Sequence, residues 1–390
     1  MRLLLTGGCG FIGSAVIRHL IRQTGHIVVN VDKMTYAASE DALEEARHHA
    51  RHVLVQADIA DPAAMHQVFA THDPDAVMHL AAESHVDRSI DGPADFIRTN
   101  MVGTFVLLEA ARAHHARLDP VRRAAFRFHH ISTDEVFGAL APHDPPFTED
   151  TPYDPRSPYS ASKAGSDHLV RAWFHTYDLP TIVSNTANNY GPWQFPEKLV
   201  PLITLNALEG KTLPVYGDGS NCRDWIYVDD HAEALVRVLE HGQPGGTYAI
   251  GARQPRRNLD VVRAICAELD RRVPDPVGPR ERLITFVKDR PGHDFRYEIN
   301  PSRAEAALGW TAPHDFERGL ARTIDWYLQH RTWWEAVRAA RYDGQRLGVA
   351  PGHVSPGHVS PGHVSPGCVS PGGVCQGGVS PGVVSLGTAA

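Results

Sequence analysis

Short apolar runs, often β-branched, punctuate the N-terminal half of the chain: Arg2–Thr6, Ile27–Val31, Val53–Gln56, Ala76–Leu80, Phe126–Ser132 and Thr181–Asn185. Each is bounded by turn residues and short enough to read as a strand. Helical patterns fill the gaps; after the first run, Ile12, Val16 and Leu20 recur at every fourth position and mark one face of a helix. Strands alternating with helices predict an α/β fold with a doubly wound parallel sheet, because parallel neighbours need a crossover connection. From Asn188 onward the rhythm breaks into Pro- and Gly-punctuated pieces, which predict a smaller mixed α/β lobe. The expected division is a sheet domain over 1–187, rejoined by 225–251, and a lobe built from 188–224 and 252–342.

The helical pattern ends near Tyr342. Residues 351–370 then repeat a five-residue unit, Pro-Gly-His-Val-Ser, with degenerate copies to the end. From residue 351 on the chain carries no aromatic or charged residue, and its Pro and Gly break helices and strands alike. So short a period cannot stack supersecondary units, so 343–390 reads as a low-complexity, disordered tail.

Bulk composition narrows the function classes. Over 390 residues the chain is 42% hydrophobic and 21% charged, with a formal net charge of -7. That balance gives no global attraction to nucleic acid or to an anionic membrane. No apolar run is long enough to span a bilayer, and the N-terminus turns glycine-rich at once, leaving no room for a leader. The five cysteines, an odd number at scattered positions, suit a reducing compartment, so the cytoplasm is expected. Histidines are abundant but lack ligand spacing, and no metal site is expected.

Candidate chemistry begins where the first strand meets the first helix, at Thr6-Gly7-Gly8-Cys9-Gly10-Phe11-Ile12-Gly13. Glycines at 7, 10 and 13 allow a tight turn, close approach to a pyrophosphate, and close packing of helix on sheet. The helix N-terminus then offers free N–H groups to the phosphates. Asp32 ends the second strand, where a carboxylate accepts both ribose hydroxyls and repels a 2′-phosphate. NAD is therefore favoured over NADP, with the adjacent Lys33 pulling the other way. Asp58-Ile59 after the third strand can meet an adenine amino group, and the small residues of Leu80-Ala81-Ala82 let the chain pass beside the cofactor.

A second constellation opens the stretch from Tyr159 to Tyr177. Tyr159 and Lys163 lie four apart and so on one helix face, where an ammonium and a bound NAD⁺ favour the phenolate as a base. Thr133-Asp134-Glu135 ends the fifth strand, where a doubly wound sheet places its chemistry. Adjacent carboxylates in unequal environments can serve as separate acid and base.

These motifs together resemble the extended short-chain dehydrogenase/reductases that act on nucleotide sugars. Over residues 1–340 the chain resembles, more narrowly, the dTDP-glucose 4,6-dehydratases. The resemblance rests on Asp32-Lys33-Met34-Thr35-Tyr36-Ala37, Ala81 to Ser89, Ile131 to Gly138, Asn188-Asn189-Tyr190-Gly191-Pro192, Pro196 to Pro201, Arg223-Asp224-Trp225 and Asp289 to Asp294. It implies a Rossmann fold and an NAD-dependent lyase acting by C4 oxidation, loss of water across C5–C6 and hydride return to C6. It implies Tyr159 as base at the C4 hydroxyl with Lys163 beside it, Thr133 on that hydroxyl, Glu135 as base at C5, and Asp134 as acid at the C6 oxygen. Thr35, Thr99 and Asn189 join the implied NAD contacts. Ser84, Thr133, Asn188, Lys198, Leu199, Pro214, Tyr216, Arg223, Asn258, Arg290 and His293 are the implied substrate contacts. The resemblance also implies a homodimer paired through the Asn100–His115 and Tyr159 helices.

Phe137 stands where the family usually has Tyr, and Ala187 where Ser commonly precedes the Asn pair. A 4,6-dehydratase of another nucleotide-hexose, a UDP-sugar 4-epimerase or a UDP-glucuronate decarboxylase are the alternatives on the same fold. Epimerases lack the acid pair, and decarboxylases typically carry Ser where Asp134 stands.

Overall fold

The computed structural model describes residues 1–290, 292–340 and 342; the expected tail lies outside the described residues. Seven parallel strands form the main sheet: β1 (Arg2–Thr6), β2 (Ile27–Asp32), β3 (His52–Gln56), β4 (Ala76–His79), β5 (Arg127–Thr133), β6 (Thr181–Thr186) and β10 (Thr247–Ile250). Their order is β10-β6-β5-β4-β1-β2-β3. The sheet therefore reverses its winding direction beside β1, with β2 on one side and β4 on the other, Thr6 facing both Val31 and His79. At such a switch point the following loops diverge and leave a crevice above the strand ends.

Three further strands form a second sheet: β7 (Asn188–Tyr190), β9 (Cys222–Tyr227) and β11 (Pro255–Arg257). A parallel pair, β8 (Leu213–Tyr216) with β12 (Ile284–Val287), completes the strand inventory of the described residues. Trp225–Tyr227, expected to return to the main sheet, pair instead with β7, while Cys222, Arg223 and Asp224 of the same strand pair with β11. The return is made by the helix Val228–His241 and by β10, which pairs with β6.

Burial follows the sequence pattern. On the helix Phe11–Gln23, Val16, Ile17, Leu20 and Ile21 pack under β1 and against Ala232, Leu235 and Leu239 of the helix Val228–His241. Ile12 belongs to the same stripe but sits at the cleft and is only partly buried. On the other face, Val106, Leu107, Ala110 and Ala111 of the helix Thr104–His115 pack with Phe69, Phe128 and Val170. The lobe has its own core, in which Tyr190, Trp225 and Tyr227 meet Val261, Ile265, Phe316 and Ile324.

The chain before Thr104 departs from a plain helix. Ile97–Gly103 forms a wide π-type turn, a device often found at functional sites. It brings Thr99 to the cleft wall and buries Asn100, whose amide donates to Ser162 Oγ (2.8 Å) and to the Glu83 carbonyl (3.0 Å). Gly103 closes the turn tightly, for a Cβ there would stand 2.7 Å from Ile59 Cδ1.

Candidate active site

Two cavities lie side by side above the strand ends, sharing Ser84, Glu197 and Lys198. The first, of about 240 Å³, is walled by the glycine loop, Asp32, Lys33, Thr35 to Ala38, Asp58, Ile59, Leu80 to Ala82, Thr99, Tyr159 and Lys163. The second, of about 230 Å³, is walled by Glu135, Asn188, Lys198, Leu199, Pro214, Tyr216, Arg223, Asn258, Arg290 and His293.

The first cavity fits a dinucleotide. Gly7 adopts φ +75°, and a Cβ on it would meet Ala81 Cα at 2.7 Å, so this loop and the loop after β4 touch backbone to backbone. A Cβ on Gly13 would lie 2.1 Å from the Gly7 carbonyl oxygen, whereas one on Gly10 meets nothing nearer than 3.3 Å. Gly10 thus leaves open a cradle in front of the first turn of the Phe11–Gln23 helix, whose free N–H groups suit a phosphate. Asp32 is held by the backbone N–H groups of Cys9 (2.9 Å) and Met34 (2.8 Å). Lys33 turns away to an ion pair with Asp58 (2.9 Å), which neutralises the cation that could have welcomed a 2′-phosphate.

Tyr159, Lys163 and Asp167 form one buried row on the helix Pro158–Tyr177. Ser157 and Ser160 cap that helix reciprocally, with Pro158 at its first position, so Tyr159 stands in a fixed first turn. Lys163 Nζ donates to the Ile131 carbonyl (2.8 Å). Burial pushes the Lys163 ammonium down to about 8, opposed by the charge of Asp167. Asp167 accepts from Ser132 Oγ (2.8 Å), Tyr153 Oη (2.8 Å) and Asn185 Nδ2 (3.2 Å) and lies 3.1 Å from His130 Nε2. In the protein alone the Tyr159 phenol is held protonated: burial and then the charge of Glu135 raise it, while a hydrogen bond with Thr133 works the other way. The expected phenolate-favouring environment therefore depends on positive charge brought into the cleft, because Lys163 is turned toward Ile131.

Asp134 and Glu135 leave β5 in a short 3₁₀ turn capped by Thr133, whose hydroxyl accepts from the Glu135 N–H at 3.2 Å. Their environments differ. Asp134 is 1% exposed, and its Oδ2 has no partner among the described residues. Burial first, then Glu135 and Asp224, raise it well above the usual carboxylate range. Burial also raises Glu135, which faces the second cavity, but Arg290, Arg223 and Lys198 oppose the rise.

The second cavity suits an anion at its far end. Arg223 is 5% exposed and is held by the carbonyls of Cys222 (2.7 Å) and Asp294 (3.0 Å), with its guanidinium 4.1 Å from the Tyr297 ring centroid. Arg290 pairs with Asp87 (3.1 Å). His293 accompanies Asp289 at 2.6 Å, and burial with both arginines lowers it to about 4. Buried oxygens of Asn188 and Asn258 lack partners within the described residues, leaving acceptors for a ligand.

Three expected site residues lie off the cavity walls. Thr133 and Asp134 sit behind them, and the Asn189 amide is turned onto Thr186 Oγ1 (3.2 Å) and the Ala187 carbonyl (3.0 Å). Phe137 is buried in an aromatic cluster with Phe147 and Tyr153, and Ala187 is buried beside β10. Sequence reasoning gave no site role to Asn100, Asp87, Glu197 or Tyr297; Asp87 and Glu197 fall within the stretches Ala81 to Ser89 and Pro196 to Pro201, whereas Asn100 and Tyr297 stand alone.

A doubly wound sheet with a glycine loop at its switch point and a Tyr–Lys row beside a second cavity defines a nucleotide-cofactor enzyme of the short-chain dehydrogenase type. The profile of the GDP-mannose 4,6 dehydratase family matches residues 4–323. A dTDP-glucose 4,6-dehydratase of Escherichia coli is 56% identical over 360 residues, which cover 90% of this chain and 99% of the relative. A solved dTDP-glucose 4,6-dehydratase of Streptomyces venezuelae, with NAD bound, superposes with a TM-score of 0.79 at 39% identity, covering 86% of this chain and all (100%) of that one. A UDP-glucose 4-epimerase of Thermus thermophilus follows at 26% identity and a TM-score of 0.74, covering 85% and 100% of the two chains. The chain belongs to the dTDP-glucose 4,6-dehydratase family.

Proposed function

We propose that this enzyme binds NAD in the first cavity and converts dTDP-glucose, seated in the second, to its 4-keto-6-deoxy product. The observation that carries this reading is the split environment of Asp134 and Glu135 beside Tyr159. Tyr159 takes the proton of the C4 hydroxyl as that carbon is oxidised, with Lys163 next to it in the same buried row. NAD, when bound, supplies the electron-pair acceptor for C4 and returns the pair at C6. The new ketone acidifies the C5 proton, which Glu135 removes and gives back to C5 as C6 receives the electron pair; burial raises this carboxyl while Arg290, Arg223 and Lys198 oppose the rise. Asp134, kept protonated by burial, gives its proton to the C6 oxygen, which departs as water. Arg223, Arg290 and Lys198 hold the pyrophosphate end. A 4-epimerase needs no acid pair, so the buried Asp134 favours the dehydratase. Incubation with dTDP-, UDP- and CDP-glucose, reading the 4-keto product of each, tests the reading; no 4-keto product from dTDP-glucose would refute it.

The Lys163–Asp167 row sets an expected pH dependence. Lys163 is charged below about pH 8 and loses its proton above it. The facing histidines, His79 on β4 and His130 on β5, are pushed down by burial and stay neutral, leaving Asp167 as the counter-charge. Activity should fall on the alkaline side of pH 8. Asp167→Asn should move that limb of the kcat/KM profile to lower pH, whereas a purely structural role would lower the whole profile without moving it.

The assembly is a homodimer in this reading. Val106 and Leu108 are buried in the protomer, but Ile97, Val102, Phe105 and Tyr177 are each 45% exposed along the two helices. Phe105 and Tyr177 both stack edge-on against Trp173, making one apolar face. Sedimentation at micromolar concentration should give twice the chain mass; a monomer would remove this assignment. The cytoplasm remains the expected compartment, a reading supported by the free thiols of Cys9, Cys222 and Cys266. No helix of the described residues is long and apolar enough to cross a membrane.

A further inference from the structure

Glu197 stands in the wall of both cavities. Its carboxylate is almost completely buried, and each oxygen takes one donor from the sheet domain. Tyr36 Oη donates to Oε1 at 2.9 Å, and Arg88 Nε donates to Oε2 at 2.9 Å. The Arg88 guanidinium also lies over the Tyr36 ring, 4.0 Å from its centroid, and the ring meets Phe195 edge-on at 5.3 Å.

The three partners sit on segments with different duties. Tyr36 belongs to the loop that follows Asp32 and lines the first cavity with Lys33 and Thr35. Glu197 precedes Lys198 and Leu199, which line the second. Arg88 adjoins Asp87, whose carboxylate accepts from Arg290 (3.1 Å) and Tyr216 Oη (3.2 Å), both residues of the second cavity. One turn earlier on that segment, the Ser84 carbonyl accepts from Lys198 Nζ at 2.8 Å. A ligand that fixes Lys198 or Arg290 therefore also fixes Glu197 and Arg88, and through them the Tyr36 loop.

We propose that the Tyr36–Arg88–Glu197 cluster is a latch through which occupation of the nucleotide-sugar cavity tightens retention of the dinucleotide. Its members are positioning residues: they hold the cofactor loop shut from the substrate side. Two ligands linked through shared ordered groups have a coupling free energy, and the loss of one link lowers the coupling without abolishing either site. This inference rests on the assignment of NAD and a nucleotide sugar to the two cavities.

The test uses the holoenzyme as purified and follows NAD release after dilution, with and without saturating dTDP. Saturating dTDP should slow release by about tenfold in the wild type, within the range of ~5–150-fold common for coupled sites. In Tyr36→Phe, which keeps the ring and loses one donor, the slowing should drop below about twofold. Glu197→Gln, which cannot accept from both donors, should behave alike. A cluster that only stabilises the fold would speed release equally with and without dTDP, leaving the ratio at its wild-type value, and that result overturns the latch. Wild-type protein that carried no NAD, or bound no dTDP, would instead overturn the assignment of the cavities.

Discussion

Asp134→Asn should yield an enzyme that oxidises its substrate and then stalls. The amide keeps the shape of the buried side chain but has no acidic proton to give, so loss of the C6 oxygen should slow by roughly 10²–10⁴-fold, the usual contribution of a general acid. Oxidation at C4 needs Tyr159 and the cofactor, neither of which this change touches. Reduced cofactor should accumulate on the enzyme, read as absorbance near ~340 nm on mixing with dTDP-glucose. Tyr159→Phe should give the opposite pattern, with no reduced cofactor and no product. Wild-type turnover in the first variant, or fast cofactor reduction in the second, would refute the assigned roles. Burial, then Glu135 and Asp224, raise the Asp134 carboxyl well above its usual range, a cost the fold bears at neutral pH where the unfolded chain has this group ionised, so the neutral amide should raise folding stability there.

Gly13→Ala should cost both fold and cofactor, while Gly10→Ala should spare the fold. A Cβ at 13 meets backbone, 2.1 Å from the Gly7 oxygen and 2.8 Å from Gly8 Cα, and neither can swing aside as a flexible side chain would. Forcing atoms into a packed site costs ~1–3 kcal/mol or more, and here the strain falls on the loop that must cradle the phosphates. At position 10 the nearest atom is 3.3 Å away, but the methyl occupies the face that lines the cofactor cavity. The thermal midpoint should fall by several degrees for Gly13→Ala and stay near wild type for Gly10→Ala, with NAD retention weakened in both. Equal midpoints for the two variants would mean that the close packing of this turn does not limit stability.

The parallel strands were readable because each is written locally. Arg2–Thr6 is observed as expected, and the other five expected runs differ by a residue at one end or, for β5, at both, since a β-branched run between turn residues needs no distant partner to be recognised. Trp225–Tyr227 is different. Its alternation suits either sheet, and only the approach of Asn188–Tyr190 decides which one it joins. The placement of the candidate site was readable for a related reason: Gly7, Asp32, Thr133-Asp134-Glu135 and Tyr159/Lys163 all sit at strand ends or on one helix face, positions that the fold fixes in advance. Glu197 and Asn100 were not. Their meaning comes from contacts with Tyr36, Arg88, Ser162 and Glu83 far along the chain, and a lone Glu or Asn carries no mark of such partners.

The chain crosses between the two sheets repeatedly: at Ala187, at the junction of Tyr227 and Val228, and across Gly251–Gln254. On the ribosome, β1 to β6 and the whole glycine loop emerge before any of the lobe, yet the edge of that sheet stays bare until β10 arrives. A nascent chain released early would therefore expose the Thr181–Thr186 edge to stray pairing. A single protease cut in a surface loop cannot liberate a working half, because each half is threaded through the other. The two regions should melt together as one cooperative unit.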